Sequence, residues 1–250
     1  MEVKWRWFLI TAVAPVAWGA TYFVTRQFLP ADSPLWGAAL RALPAGLLLL
    51  LITRRLPRGS WWWRSLILGT LNFGGFFVLV YVSAQLLPTS IAASVMALAP
   101  LALAGMAWPL LGERPTLRLA LGAALGIGGV TLVVGLGAAG MDAWGIVASV
   151  AALLLSSFGA ILTTRWVDST PLVATTSWQL LAGGLVLTIL AVTVEGAPPR
   201  VDTAGVVAYA FVAMIAAALA FLCWFAGLRH LPAGTVGLVG LLNPVTGVLL

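Results

Sequence analysis

The stretch 81–100, "YVSAQLLPTSIAASVMALAP", returns at 225–244 as "FAGLRHLPAGTVGLVGLLNP". Both are twenty residues long, with prolines twelve residues apart. Leu87, Pro88, Val95, Leu98 and Pro100 correspond to Leu231, Pro232, Val239, Leu242 and Pro244, each 144 residues later. A pattern repeated once at this distance predicts two copies of one structural unit. Composition says what surrounds them.

Apolar residues make up 62% of the 250-residue chain and charged residues 8%. Soluble domains hold about 45–50% and about 25%. A water-soluble chain with so few charges could not cover its own surface, whereas a bilayer supplies an apolar outer solvent. The chain therefore reads as a polytopic membrane protein with the lipid bilayer as its partner. Lys4 and Arg6 precede an apolar run from Trp7 to Val24. That run exceeds the roughly 7–15 residues of a signal-peptide core, so it reads as a retained helix. Cys223 is the single cysteine and His230 the single histidine. No disulfide within the chain, no cysteine or histidine metal site and no cofactor is expected. The net charge of +6 follows from topology, with no nucleic-acid partner implied.

A helix crossing the hydrocarbon core needs about 20 mostly apolar residues. The candidates are 6–28, 35–53, 64–86, 89–111, 116–137, 143–165, 171–194, 203–227 and 233–250. Between them lie "PADSP", "RRLPRGS", "GERPT", "DSTP" and "EGAPPRVD", which combine proline, glycine and charge. The runs are continuously apolar rather than alternating, which excludes barrel strands. Lys and Arg concentrate at the N-terminus and around the even-numbered loops: Lys4, Arg6, Arg54, Arg55, Arg58, Arg64, Arg114, Arg118, Arg165 and Arg229, against Arg26 and Arg200 on the other side. The charge bias predicts a cytoplasmic N-terminus in the inner membrane. Trp61, Trp62 and Trp63 fit the interfacial aromatic belt.

The repeat extends beyond the opening pair. "WGATYFVTR" (18–26) is similar to "FGAILTTR" (158–165), and "PLWGAALRALPAGLLLL" (34–50) to "PLVATTSWQLLAGGLVL" (171–187). Residues 1–137 form a first five-helix repeat and 138–250 a second. Five spans is odd, so the second copy enters the membrane from the opposite side, as in inverted-repeat transporters. Carried forward by 144 residues, the first copy's fifth span predicts a tenth helix beyond Leu250. The expected fold is an all-α, ten-helix inverted-repeat (5+5) transporter bundle, with nine helices present in this chain.

The span order, "WGATYFVTR", "LGERPTLRLALGAALGIGGVTLV" (111–133) and the ending "LLNPVTGVLL" resemble the EamA branch of the drug/metabolite transporter superfamily. The aromatic character is similar to that of YddG-type aromatic amino-acid exporters. The resemblance implies a central cavity walled by spans three, four, eight and nine, with spans one, two, six and seven moving as gates.

Individual residues point to a cargo. Arg41 lies inside span two, where a lipid-facing arginine would cost about 2.5–3.5 kcal/mol on insertion scales. It should face the bundle as a gate contact or hold a substrate carboxylate, and the repeat gives Trp178 as its counterpart. All seven acidic residues fall in loops or at helix ends. This argues against proton-coupled export of cations, which needs a buried acid, and favours facilitated diffusion. Asn72 and Asn243 should point inward, because an amide in lipid lacks partners. Trp18, Tyr22, Phe76, Tyr81, Ser157 and Phe158 are expected to complete the substrate site. Pro100 and Pro244 should kink spans four and nine as hinges. The spacing Gly122–Gly126 suits close helix packing, and the protein is expected to be a monomer or weak homodimer.

The sequence thus predicts export of small neutral metabolites, aromatic or other apolar amino acids first, by alternating access. A nucleotide-sugar or phosphate-ester carrier would need two or more cavity cations, and Arg41 is one. A channel is a further alternative. A membrane-embedded enzyme would need an acid–base pair within the spans.

Overall fold

The computed structural model describes residues 2–114, 142–166 and 168–249, with single positions between 117 and 132. The regular structure among the described residues is helical. Six helices are long and apolar enough to cross a membrane. They are α1 (Glu2–Phe28), α2 (Pro34–Thr53), α3 (Trp61–Leu86), α6 (Ala143–Arg165), α7 (Leu172–Val194) and α8 (Thr203–His230). They coincide with the expected spans one, two, three, six, seven and eight.

Spans four and nine are each divided. The former is α4 (Thr89–Val95), a 3-10 turn at Met96–Leu98, then α5 (Ala99–Leu111). The latter is α9 (Ala233–Val239), a turn, then α10 (Leu242–Leu249). Expected span five (116–137), with Gly126, lies for the most part outside the described residues. Pro100 and Pro244 therefore differ from expectation. Each stands in the opening turn of a new helical segment instead of kinking a continuous one. A proline cannot donate a backbone hydrogen bond, and the first helical turn needs no such donor.

The two longest central helices share another irregularity. α3 widens into a π turn over Thr70–Gly75 and α8 over Phe211–Leu219. The π turns end at Gly75 and Leu219, 144 residues apart. The ends of α3 and α8, Leu86 and His230, and the starts of α4 and α9, Thr89 and Ala233, keep that spacing.

Helix ends are tied down by charge and geometry. Asp142 accepts from the Trp144 and Gly145 amides at the start of α6, at 2.8 and 3.3 Å. Asp202 accepts from Gly205 at 2.8 Å at the start of α8. Glu195, just past α7, accepts from the Leu35 and Trp36 amides at 2.7 and 2.9 Å. It thereby serves two orphan donors of α2 and places a negative charge at that helix's positive end.

α2 and α7 make the most extensive helix–helix contact among the described residues. They approach through glycine: a Cβ on Gly184 would stand 2.9 Å from the Leu43 backbone. The divided helices cross likewise, since a Cβ on Gly237 would stand 2.7 Å from the Pro100 Cα. Without a hydrophobic drive between helices in lipid, such close backbone approach supplies the dispersion contacts that hold the bundle. Leu9, Leu51, Leu154 and Ile189 are exposed on its outside, where a bilayer would cover them.

Candidate functional site

At the centre, α3 and α8 bring their aromatic rings together. Phe73 and Phe221 lie 4.6 Å apart edge to face, and Trp18 of α1 sits 4.9 Å from Phe221 and 5.1 Å from Trp224. These geometries suit the ring quadrupoles. Beside this cluster is a narrow cavity of about 60 Å³. Trp18, Phe76, Phe221, Trp224 and Phe225 give it aromatic walls.

Its polar groups are few. Arg41, Asn72, Ser157 and Asn243 line it and are all buried. Asn72 Nδ2 donates to Thr163 Oγ1 at 3.1 Å and Gln179 Oε1 at 2.9 Å, joining α3 to α6 and α7. Asn243 Oδ1 is buried without a hydrogen-bond partner. Arg41 donates from Nη2 to Ala216 O at 3.2 Å and lies over the Phe77 ring, while its Nε has no partner. Trp18 Nε1 donates to the same carbonyl at 2.9 Å. Ala216 belongs to the π turn of α8, where wider winding changes the backbone's own pairing and leaves this carbonyl to serve α1 and α2.

No carboxylate lines the cavity among the described residues, so the Arg41 charge is uncompensated there. A buried cation gains strongly from a hydrogen-bonded anion. Its lining offers rings to a flat apolar body and Arg41 to a negative group, but at about 60 Å³ the cavity must widen before it can take both.

Two further spaces adjoin it at opposite ends of α3, one larger and one smaller. At the Trp61 end, about 420 Å³ is lined by Thr164, Asp168, Arg229 and His230, with Phe225 shared with the central cavity. At the Tyr81 end the space is only about 10 Å³, with Arg41 and Val80 shared. Tyr81 closes that end by donating to Pro30 O at 2.5 Å. At the wider end, burial tends to raise the Asp168 carboxyl pKa. Hydrogen bonds from Thr170 and Trp61, with Arg64 nearby, outweigh that and hold it below the usual carboxylate range.

The structure brings Trp18, Tyr22, Arg41, Asn72, Phe76, Ser157 and Asn243 together on the cavity wall. Three other expected site residues lie elsewhere. Phe158 is exposed on the outside of α6, because the helical step of about 100° turns it away from its neighbour Ser157. Tyr81 lines the narrow end space instead of the cavity. Trp178 lies toward the Trp61 end, with its Nε1 donating to Arg55 O at 2.7 Å, far from a role equivalent to that of Arg41. Phe221, Trp224 and Phe225 were not among the expected contacts. Their spacing on one helical face in "FLCWF" was the available signal.

The EamA-like transporter family model matches residues 5–135 and 143–250. Protein PecM of Dickeya dadantii (strain 3937) is 38% identical over 240 residues, covering 95% of this chain and 80% of that protein. The uncharacterized inner membrane transporter YedA of Escherichia coli (strain K12) is 27% identical over 241 residues, covering 94% and 78%. One solved crystal structure superimposes with a TM-score of 0.73 at 20% identity, covering 98% of this chain and 88% of that one.

Proposed function

We propose that this chain, which belongs to the EamA-like transporter family, exports aromatic or other apolar amino acids and closely related carboxylates through its central cavity. It is a multi-pass membrane protein and a transporter of the drug/metabolite type. The observation that carries the finer reading is the pairing of aromatic walls with one uncompensated cation, Arg41. The rings take the side chain, Arg41 takes the carboxylate, and Asn243 Oδ1 accepts from the amino group. A carrier of phosphate esters would want at least two cavity cations; Arg41 is the one on the wall among the described residues.

In this reading the chain belongs to a ten-helix 5+5 inverted repeat in the inner membrane, with its N-terminus cytoplasmic. Two features support it: the family model matches two successive stretches, and helix breaks and π turns recur at a 144-residue spacing. The Trp61 end then faces the cytoplasm and the Tyr81 end the outside. Similar halves of opposite sense can exchange shapes at nearly equal energy, opening the cavity to each side in turn. With no acid on the cavity wall among the described residues, the cargo's own gradient drives the cycle.

The test is uptake of labelled phenylalanine by proteoliposomes containing the parent, Phe76→Ala or Asn243→Ala. Both variants should lose uptake relative to the parent. Unchanged uptake in both would remove the cavity from the transport path, and absence of phenylalanine uptake by the folded parent would refute the cargo class.

A further inference from the structure

A second concave site, of about 830 Å³, lies at the Trp61 end between the α2–α3 loop and the start of α7. Arg54, Arg55 and Arg58 line it, with Trp61, Trp178 and Thr170 opposite. Charge bias in loops explains why arginines are on this side of the membrane. It does not explain why three of them wall one cavity.

The loop is held in shape. Its backbone turns at Arg54, whose φ of 49° is left-handed and whose amide donates to Leu50 O at 2.7 Å. That conformation is uncommon for a residue with a Cβ. Next to it, Trp178 Nε1 donates to Arg55 O at 2.7 Å, and the Trp178 ring packs 5.7 Å from Trp61. The indoles thus anchor the loop backbone and leave the arginine side chains to face the space.

The charge is unbalanced. No carboxylate lines the site among the described residues. Asp168, close by, is already engaged: it accepts from Trp61 Nε1 at 2.9 Å and from the Thr170 amide at 2.8 Å, and lies 3.9 Å from Arg64. Among the described residues, the Arg54, Arg55 and Arg58 guanidiniums have no protein hydrogen-bond or ion-pair partner. The flank is apolar. Leu51, Ile52, Leu56, Trp62 and Trp63 are all exposed beside the loop. Tryptophans of this kind settle at headgroup depth.

A concave cluster of cations at headgroup depth, with an apolar skirt, matches one kind of occupant. We propose that this site binds the phosphodiester headgroup of an anionic glycerophospholipid, with its acyl chains over Leu51, Ile52 and Leu56. Planar guanidiniums grip phosphate oxygens in pairs. A net negative headgroup fits three uncompensated cations, whereas phosphatidylcholine would bring its own quaternary ammonium among them. The bound headgroup joins the α2–α3 loop to the start of α7. Gln179, next to Trp178, accepts the hydrogen bond from Asn72 on the cavity wall. Occupancy of the lipid site therefore bears on the central cavity, and transport rises with the anionic-lipid content of the membrane.

The experiment is native mass spectrometry of the full chain released from bilayers of equal phosphatidylglycerol and phosphatidylcholine. The parent should retain phosphatidylglycerol selectively. Combined Arg54→Gln, Arg55→Gln and Arg58→Gln should lower retention about tenfold or more, given the gain per juxtamembrane arginine. Combined Arg54→Lys, Arg55→Lys and Arg58→Lys keeps the loop charge and the insertion bias if the glutamine variant fails to fold. It should fall between the two, because lysine cannot make the paired contact. Arg200→Gln, beyond the other end of α7, should retain lipid as the parent does. Dihexanoyl phosphatidylglycerol should displace the retained lipid and glycerol 3-phosphate at the same concentration should not. Equal retention of both lipids, undiminished retention in the lysine variant, or displacement by glycerol 3-phosphate alone would overturn the proposal.

Discussion

The guanidinium carbon of Arg41 lies 4.1 Å from the centre of the Phe77 ring. Ring and carbonyl hold the cation in place without neutralising it, since its hydrogen-bond partner is the Ala216 carbonyl. A buried charge without a counter-charge is a cost to the folded state that an apolar residue of similar volume would remove. Arg41→Met should therefore leave the thermal midpoint unchanged or raised while phenylalanine transport falls at least about tenfold, equivalent to about 1.4 kcal/mol of lost binding. Differential scanning fluorimetry beside proteoliposome uptake separates the two effects. A fall in stability parallel to the fall in transport would make Arg41 a structural residue.

The cavity's charge also ranks ligands. It offers one cation and no carboxylate among the described residues. Deleting the amino group from phenylalanine leaves the Arg41 contact intact, whereas deleting the carboxylate leaves two cations together. In competition with labelled phenylalanine, 3-phenylpropionate should inhibit uptake and phenethylamine should not. The reverse order would mean that Arg41 does not meet the cargo.

The spaces beside the cavity are unequal, about 420 Å³ at the Trp61 end against about 10 Å³ at the Tyr81 end. Cys223 is the chain's single cysteine, so a Cys223→Ser background allows site labelling. Thr164→Cys should react with a water-soluble maleimide several-fold faster than Leu29→Cys, because the thiol must be exposed as thiolate to react. Equal rates would show that the resting protein opens both ways alike.

Gly237 and Pro100 meet where the divided helices cross, with no room for a Cβ between them. Gly237→Ala should lower stability by about 1–3 kcal/mol through overpacking, and Gly184→Ala should do the same at the α2–α7 crossing. Gly105→Ala, where a Cβ meets nothing within 4 Å, is the matched control. Thermal unfolding in detergent reads all three. A Gly237 variant as stable as the control would mean that the crossing yields freely.

Much of the architecture was written in hydropathy and in the proline repeat, because lipid makes an apolar run of about 20 residues nearly synonymous with a spanning helix. What hydropathy does not carry is which side of each helix faces inward. On α6 the sign was sparse, with Ser149, Ser156 and Thr163 recurring every seven residues on the inward side, and it set Ser157, on the cavity wall, apart from Phe158, on the outside. Asn72 and Asn243 were easier, since an amide must find partners within the bundle. The breaks in spans four and nine were half legible. Proline marked the place, but a proline alone does not say whether a span bends or breaks into two segments. Trp178 shows the limit of arguing from a repeat, since the position matched to Arg41 has become a support for the basic loop.

The paired π turns have a historical consequence. A π turn is a helix that has absorbed an extra residue, and here it occurs at matched positions in both halves, ending at Gly75 and Leu219. Two independent insertions at the same register are a poorer account than a single one inherited twice. On the inverted-repeat reading proposed above, the extra residue predates any duplication of the unit, and a half-length ancestor would already have carried the π turn beside which the cavity lies. On the same reading, such an ancestor would have worked by dimerising with a copy of itself lying upside down.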